Sequence, residues 1–453
     1  MNNFNDIIVG ISTPYAKGAI SIIRLSGDGV IPLVNKIFKG KNLEKVNSHT
    51  IHYGHIIDSN TKETIDEVLV SIFKSPKTYT KEDVVEINCH GGVYVTNLIY
   101  ENLVLIGARP AEPGEFTKRA FLNGRIDLTK AEAVMDVIDA ENKTAVKFAN
   151  QGINGDIHKL VHIYREELLN IIATISVNID YPEYDDVEQL TNEEILPNIK
   201  SLVKKMKRLL KESIGAKYLK DGINTAIIGK PNVGKSTLLN ALLKEEKAIV
   251  TNIPGTTRDV IEGKVNLGSI TLNLIDTAGI RNTDDVVEKI GVERSFERLE
   301  SADFILFMLD NTTALTADEK NLLNKIKEKP HLVIVNKNDV FSEYKHEIEG
   351  ALYISAHNFL DIKKLEEDIV KKVLKEVNIN EGSTYLTNAR QISKLQLAIN
   401  SLDESLNAIN NNAFIDFVDI YLKEAYNYLG EIVGDTATDS LLDELFSKFC
   451  LGK

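Results

Sequence analysis

Residues 229–236 read GKPNVGKS, set between the apolar run NTAIIG and the helix-favouring STLLNALL. Gly229, Gly234, Lys235 and Ser236 fit the pattern G-x-x-x-x-G-K-[ST]. The pattern works only where a strand ends, a glycine-rich turn follows and a helix begins. The turn aims successive backbone N–H groups at phosphate oxygens, and the helix N-terminus adds its positive end. Lys235 can then reach the β- and γ-phosphates of a nucleotide, and the Ser236 hydroxyl can ligate Mg2+. Such a unit belongs to a doubly wound, mostly parallel sheet. The runs LNLID, FILFMLD and LVIVN, each followed by a loop and helix-like sequence, join AIIG as its buried strands between about Gly222 and Val377.

Two of these strands end on chemistry. DTAG, Asp276 to Gly279, closes LNLI. A carboxylate there can hold Mg2+ through water, and a glycine N–H can meet the γ-phosphate. NKND, Asn336 to Asp339, closes LVIV. An aspartate there can accept both the ring N–H and the exocyclic amine of guanine, a donor pair that adenine lacks. Ser355 and Ala356, after LYI, match a fifth guanine-nucleotide element. The segment resembles a GTPase domain of the translation-factor-like kind. It departs from Ras-like GTPases at Ile280, where they carry a water-orienting glutamine, because an aliphatic side chain cannot orient water. Arg281, Asp284, Asp285 and Glu288 are the nearby candidates for that task; the alternative is that these charges form a solvated face.

The flanking regions differ in kind. Residues 1 to about 118 carry the short β-rich runs AISIIRL, EVLVSIF and DVVEINC, broken by TPYAKG, SPKTYTKE and HGGV, which predicts mixed α/β structure. From Leu128 the period becomes helical. Ile157, Leu160, Val161, Tyr164, Leu168, Ile171, Ile172 and Ile175 form one apolar stripe. The stripe returns at Ile392, Leu395, Ile399, Leu402, Leu406 and Ile409, and again at Val418, Leu422, Ala425, Leu429 and Ile432. The economical architecture is an α/β domain inserted into a helical one, and the alternative is four consecutive domains. A net charge of −13 argues against a generic nucleic-acid coat. Two cysteines, Cys89 and Cys450, exclude a disulfide framework and fit a reducing compartment. The opening residues lack a signal-peptide pattern, and no apolar run has the length of a membrane span, so a cytoplasmic protein without membrane contact is expected. Cys89 and His90 are adjacent on a predicted strand and point apart, so they are not a catalytic pair.

The ending FSKFCLGK places Cys450 where a prenylation cysteine would stand, but Gly452 is not aliphatic and no polybasic stretch precedes it. GKPNVGKS, TNIPGTTRDV, IDTAGIRNTDDVVEKIG and FCLGK together resemble the MnmE (TrmE) family of tRNA-modifying GTPases. EFTKRAFLNGRIDLTKAEAV and VVEINCHGG match its N-terminal and early helical regions. The resemblance spans nearly the whole chain. It implies a tetrahydrofolate-binding and dimerisation domain at 1–118, a helical domain at 119–215 and 379–453 ending in CLGK, and an inserted Ras-like GTPase domain at 216–378.

The resemblance also implies roles for individual residues. GTP would be bound by Asn232, Val233, Gly234, Lys235, Ser236 and Thr237, and by Thr251, Asn252, Ile253, Pro254, Gly255, Thr256 and Thr257. Asp276, Thr277, Ala278 and Gly279 would join them, with Asn336, Lys337 and Asp339, and Ser355, Ala356 and His357. The match departs at His357, where a basic or amide residue often follows SA. K+ would replace an arginine finger, held by the Asn232 side chain and the carbonyls of Thr251, Ile253 and Thr256. Thr257 would join Ser236 on Mg2+, and Glu288 would orient the attacking water through a second water. Arg24, Glu86, Arg125 and Lys453 would surround a tetrahydrofolate derivative, 5-formyl- or methylene-tetrahydrofolate; the alternative for Arg24 and Arg125 is a surface ion pair. Cys450 would be a nucleophile or acid/base delivered by an ordered tail; the alternative is a buried core thiol on the final helix, in line with Leu442 and Phe446.

The function implied is a homodimeric, K+-activated GTPase that modifies C5 of the wobble uridine of certain tRNAs with a carboxymethylaminomethyl or aminomethyl group. It would act in a heterotetramer with an MnmG-type protein that alone carries FAD. Two other classes compete. One is a GTP-dependent RNA-binding switch of the ribosome-assembly type, whose usual small basic domain is not evident in this sequence. The other is a folate enzyme merely regulated by GTP. The stretch NIKSLVKKMKRLLKESIGAKYLK offers Lys204, Lys205 and Lys207 as tRNA contacts, but Leu202, Met206 and Leu210 at helical spacing favour a solvated amphipathic helix.

Overall fold

The computed structural model describes residues 6–180, 195–243, 248–249, 261–275, 302–344, 346, 348–377, 382–411 and 413–453. The chain divides into two compact units, Met1–Met135 with Gly430–Lys453, and Asp136–Leu429.

The first unit is built on a seven-stranded sheet, ordered β3-β4-β5-β6-β2-β1-β7. Its strands are β1 (Ile8–Ile11), β2 (Ile20–Ser26), β3 (Phe38–Gly40), β4 (Thr50–Ile57), β5 (Thr64–Phe73), β6 (Val84–His90) and β7 (Arg109–Pro110). All pairings are antiparallel except β1 with β7. Alternation along the strands buries Ile23, Leu25, Val70, Ile72, Val85 and Ile87 on one face, where Ile99 and Leu103 of the helix Val93–Leu105 complete the core. Arg24 and Glu86 therefore project from the other face. A second, smaller core joins Leu128 and Ala131 to Leu442, Phe446 and Phe449, so the end of the chain closes on the helices that follow the sheet. The last helix, Asp439–Ser447, is capped by Thr438, whose hydroxyl accepts from the Leu441 N–H at 3.4 Å.

The second unit carries the doubly wound sheet, ordered β14-β13-β12-β8-β11-β10-β9. Its strands are β8 (Ile223–Ile228), β9 (Ala248–Ile249), β10 (Ile261–Asn266), β11 (Thr271–Ile275), β12 (Phe304–Asp310), β13 (His331–Asn336) and β14 (Leu352–Tyr353). β8 lies parallel to β11 and β12, β12 to β13, and β13 to β14, while β10 is antiparallel to β11 and β9. FILFMLD is buried on both faces. Phe304, Leu306 and Met308 enter one core, and Ile305, Phe307 and Leu309 enter the other, as a helix-covered parallel strand requires.

Helices Asp156–Asp180 and Leu196–Asp221 precede this sheet in sequence, and Ala389–Asn410 follows it. The predicted stripe on Asp156–Asp180 is buried at Ile157, Val161, Leu168, Ile171, Ile172 and Ile175. On Leu196–Asp221 the buried face is Leu202, Val203, Met206 and Leu209. Leu209, three residues after Met206, is buried on this face, and Leu210 beside it is half-buried. Among the described residues no helix is long and apolar enough to cross a membrane.

Candidate functional site

The glycine-rich loop lies where the motif requires, between the C-terminal end of β8 and the helix Lys235–Leu243. Asn232 has φ +65° and Gly234 φ +101°. Asparagine tolerates that left-handed conformation better than most residues. At Gly234 a side chain would also collide with the Asn336 amide. Lys235 Nζ donates to the carbonyls of Gly229 (2.7 Å) and Lys230 (2.5 Å), so the loop folds around its own lysine. Val233 is buried, and Ser236 and Thr237 open the helix.

Asn336 binds three loops together. It ends β13, its Nδ2 donates to the Val233 carbonyl at 2.8 Å, and its Oδ1 accepts from the Ala356 N–H at 2.9 Å. The first residue of NKND thereby aligns the phosphate loop with the Ser355–His357 segment. Ser355 is held by its N–H donating to Asp361 at 2.8 Å. Lys337 has φ +65°, and its Nζ meets Asp310 Oδ2 at 2.6 Å. Asp310 also accepts from the Thr312 N–H (2.8 Å) and hydroxyl (2.6 Å). Burial alone would raise the Asp310 carboxyl, but Lys337 and Thr312 outweigh it and hold the group below its ordinary value. Asp310 was not singled out by sequence reasoning, yet it ends the strand FILFMLD just as Asn336 ends its own. Thr251–Thr257, Asp276–Gly279, Ile280, Arg281, Asp284, Asp285 and Glu288 lie outside the described residues.

The first unit holds a cleft of about 440 Å3, lined by Arg24, Glu86 and Arg125 together with Phe73, Tyr79 and Lys81. Three of the four residues proposed around a folate thus share one cavity. Arg24 Nε and Nη2 both reach Glu86 Oε1 at 2.8 Å. The Arg24 guanidinium stands 5.8 Å from the ring centroids of Tyr79 and Phe116, and that of Arg125 4.9 Å from Tyr79. Tyr79 is fixed through its hydroxyl, 2.9 Å from Thr117 Oγ1. Two cations over one aromatic ring beside a carboxylate can bind a flat heterocycle bearing both donors and acidic groups. Tyr79 gave little signal in SPKTYTKE beyond being an aromatic residue in a turn-like segment.

The tail meets Arg24, one of the residues that line this cleft. The Gly452 carbonyl accepts from Arg24 Nη1 at 3.4 Å, and the Lys453 carbonyl accepts from the Phe116 N–H at 3.1 Å. Cys450 is not a core thiol of the last helix, which stops at Ser447; it is free and exposed. The helix ends early because Phe449, not Cys450, turns in to the core beside Phe446, the two rings 5.1 Å apart. Cys89 is buried and His90 exposed, on opposite sides of β6 as expected. Burial pushes the Cys89 thiol up, and the hydrogen bond to Asp66 raises His90.

Residues 128–450 match the model of the MnmE helical domain, and residues 7–125 match that of the GTP-binding protein TrmE N-terminus. The tRNA modification GTPase MnmE of Streptococcus thermophilus (strain CNRZ 1066) is 50% identical over 451 residues, 99% of this chain and 98% of that protein. The protein of that name from Streptococcus pyogenes serotype M4 (strain MGAS10750) is 48% identical over 453 residues, 99% of this chain and 98% of its own length. That from Bacillus mycoides (strain KBAB4) is 48% identical over 456 residues, 99% of both chains. With its phosphate loop, its guanine-type loops and a cleft whose Arg24 meets the tail in one chain, this protein belongs to the MnmE (TrmE) family of tRNA modification GTPases.

Proposed function

We propose that this chain is a K+-activated GTPase that modifies C5 of the wobble uridine of certain tRNAs, in the cytoplasm, as a homodimer joined by an MnmG-type FAD protein. Its parts would be the folate-binding and dimerisation domain 1–118, the helical domain 119–215 and 379–453, and the GTPase domain 216–378. The observation that supports this reading is the hydrogen bond from Arg24, which lines the cleft, to the Gly452 carbonyl of the CLGK segment.

In the second unit the inward turn of the loop and the helix that follows fit a triphosphate, with Lys235 exchanging its two carbonyl partners for phosphate oxygens. Ser236 and Thr257 would hold Mg2+, and Asp339 would accept from the guanine edge. K+ would be held by the Asn232 side chain and by the Thr251, Ile253 and Thr256 carbonyls. A cation fixed there offsets charge that develops on the bridging oxygen. Glu288 would orient the attacking water. In the first unit, Glu86 can accept pterin N–H donors while Arg24, Arg125 and Lys453 face carbonyl or carboxylate groups. A tetrahydrofolate derivative bound there supplies the one-carbon unit.

The test is nucleoside mass spectrometry on total tRNA from cells with and without the protein. Loss of a modified wobble uridine is expected, rescued by the wild type but not by Cys450→Ser. An unchanged profile beside intact GTP hydrolysis would replace this reading with a GTP-dependent RNA-binding switch. Hydrolysis in KCl is expected to exceed that in NaCl, and Glu288→Ala to slow turnover without changing nucleotide affinity. Equal rates in the two salts would remove K+ from the proposal.

A further inference from the structure

The tail is held by more than Arg24. Ser12 follows β1, and its N–H donates to the Ile22 carbonyl at 2.8 Å, which fixes its backbone against β2. Its hydroxyl donates to the Gly452 carbonyl at 3.0 Å, across 440 residues of sequence. The slot into which Gly452 fits has no room for a side chain. A methyl group on Gly452 would strike the Ile11 carbonyl and Ser12 Cα, and φ there is +83°; a methyl on Gly10 would come within 3.1 Å of Gly452 Cα. On either side of Gly452, the Cys450 carbonyl accepts from the Gly114 N–H at 3.4 Å and the Lys453 carbonyl from the Phe116 N–H at 3.1 Å. Gly114 is the N-cap of the helix Glu115–Leu122, and Phe116 lies in its first turn. First-turn N–H groups have no acceptor within their own helix. The tail supplies one.

We propose that Ser12 is a positioning residue, whose hydroxyl latches the Gly452 carbonyl and so holds the tail and Lys453 at the rim of the Arg24–Glu86 cleft. Arg24 Nη1 reaches the same carbonyl from the cleft side at a longer 3.4 Å. Ser12 therefore keeps the tail seated while Arg24 is drawn to Glu86 or to a ligand. The latch rests on this geometry alone; its effect on ligand binding rests on the reading of the cleft given above.

Hydrogen exchange on the full-length chain tests the latch, because the Gly114 and Phe116 amides report tail docking directly. In Ser12→Ala these amides are expected to exchange roughly fivefold faster, the factor that one lost hydrogen bond gives. Protection in β1 and β2 should stay unchanged. Gly452→Ala, which closes the slot by steric means, should give the same local signature. Unchanged exchange at Gly114 and Phe116 in either variant overturns the latch. Faster exchange spread through β1 and β2 overturns it as well, since that would mark a general loss of stability. Calorimetry with 5-formyltetrahydrofolate tests the consequence. Ser12→Ala should weaken binding roughly fivefold in the full chain and have no effect in a chain ending at Leu451. If the wild type does not bind this probe, the cleft reading falls while the exchange result still decides the latch.

Discussion

Arg24 and Glu86 stand directly opposite each other on neighbouring antiparallel strands, and two nitrogens of the guanidinium share a single carboxylate oxygen at 2.8 Å. The Arg24 Nη1 edge is directed to the Gly452 carbonyl of the tail. A cross-strand pair of this kind, with side chains about one-fifth exposed (20% and 22%), adds modestly to stability, and in the proposed folate site it would be preorganised for the ligand. Arg24→Gln should therefore weaken 5-formyltetrahydrofolate binding by tenfold or more, ~1.4 kcal/mol. It should lower unfolding free energy by only about 1 kcal/mol. Calorimetry and urea denaturation check both; a large stability loss with unchanged binding would make the pair purely structural.

Elsewhere in the first unit, Arg119 is 1% exposed and bridges Asp6 (2.5 Å), Glu115 (3.0 Å) and Glu82 (3.3 Å), while Arg109 meets Glu115 at 2.5 Å. Burial alone would raise the Glu115 carboxyl, but hydrogen bonds from Arg109, the Glu112 N–H and Arg119 hold it below its ordinary 4.5. A depressed folded-state value contributes stability that is present above 4.5 and lost as pH falls through the lower folded value. The thermal midpoint of the protein should thus be flat near neutrality and fall on acidification below about 4.5. Glu115→Gln should cost about 3 kcal/mol at neutral pH and flatten the acid limb. Scanning calorimetry against pH checks this; an acid limb of unchanged steepness in the variant would exclude Glu115 as its source.

Asp310 and Lys337 pose a narrower question, because the ion pair lies one residue from Asn336, which joins the three nucleotide loops. Asp310→Asn removes the charge while its amide oxygen can still accept from Thr312. Lys337 would then lose its anchor in a left-handed conformation that few residues tolerate. Affinity for GDP and GTP should fall about tenfold, with kcat at saturating GTP close to wild type. Fluorescent-nucleotide titration beside steady-state hydrolysis separates the two; a fall in kcat with unchanged affinity would contradict this role.

The parts of the molecule that were legible in the sequence are those set by short-range patterns. The phosphate loop sits between β8 and its helix because glycine, lysine and serine at fixed offsets demand that turn. The strand FILFMLD reads as doubly buried because no position in it is polar before Asp310. What was not legible depends on contacts between distant segments. Nothing in LNGRIDL or SPKTYTKE announces that Arg125 will stack on Tyr79, and nothing near Ser12 announces Gly452, 440 residues away. Cys450 shows the same limit. Helical spacing from Leu442 and Phe446 allowed a core thiol as the alternative reading, but the helix stops at Ser447 and Phe449 fills the space. Asn336 could be read as part of a guanine motif, though not as the residue that fastens Val233 to Ala356.

The lysine-rich helix Leu196–Asp221 gives the last prediction. Lys204, Lys205 and Lys207 are exposed, as the amphipathic pattern requires. Two of them already face carboxylates: Lys205 meets Glu167 at 2.9 Å and Lys207 meets Asp403 at 2.8 Å. Partners of this kind lower the positive potential that a phosphate backbone would meet, and each exposed pair contributes below about 1 kcal/mol to stability. The helix therefore reads as a solvated face. Lys204→Glu, Lys205→Glu and Lys207→Glu together should leave tRNA affinity unchanged and reduce stability by about 1–2 kcal/mol, through repulsion at Glu167 and Asp403. Filter binding across a salt series checks this. A weakened affinity, with the slope of log K against log salt reduced by about 2 to 3, would show that these lysines release counterions from tRNA and would restore the helix as a contact surface.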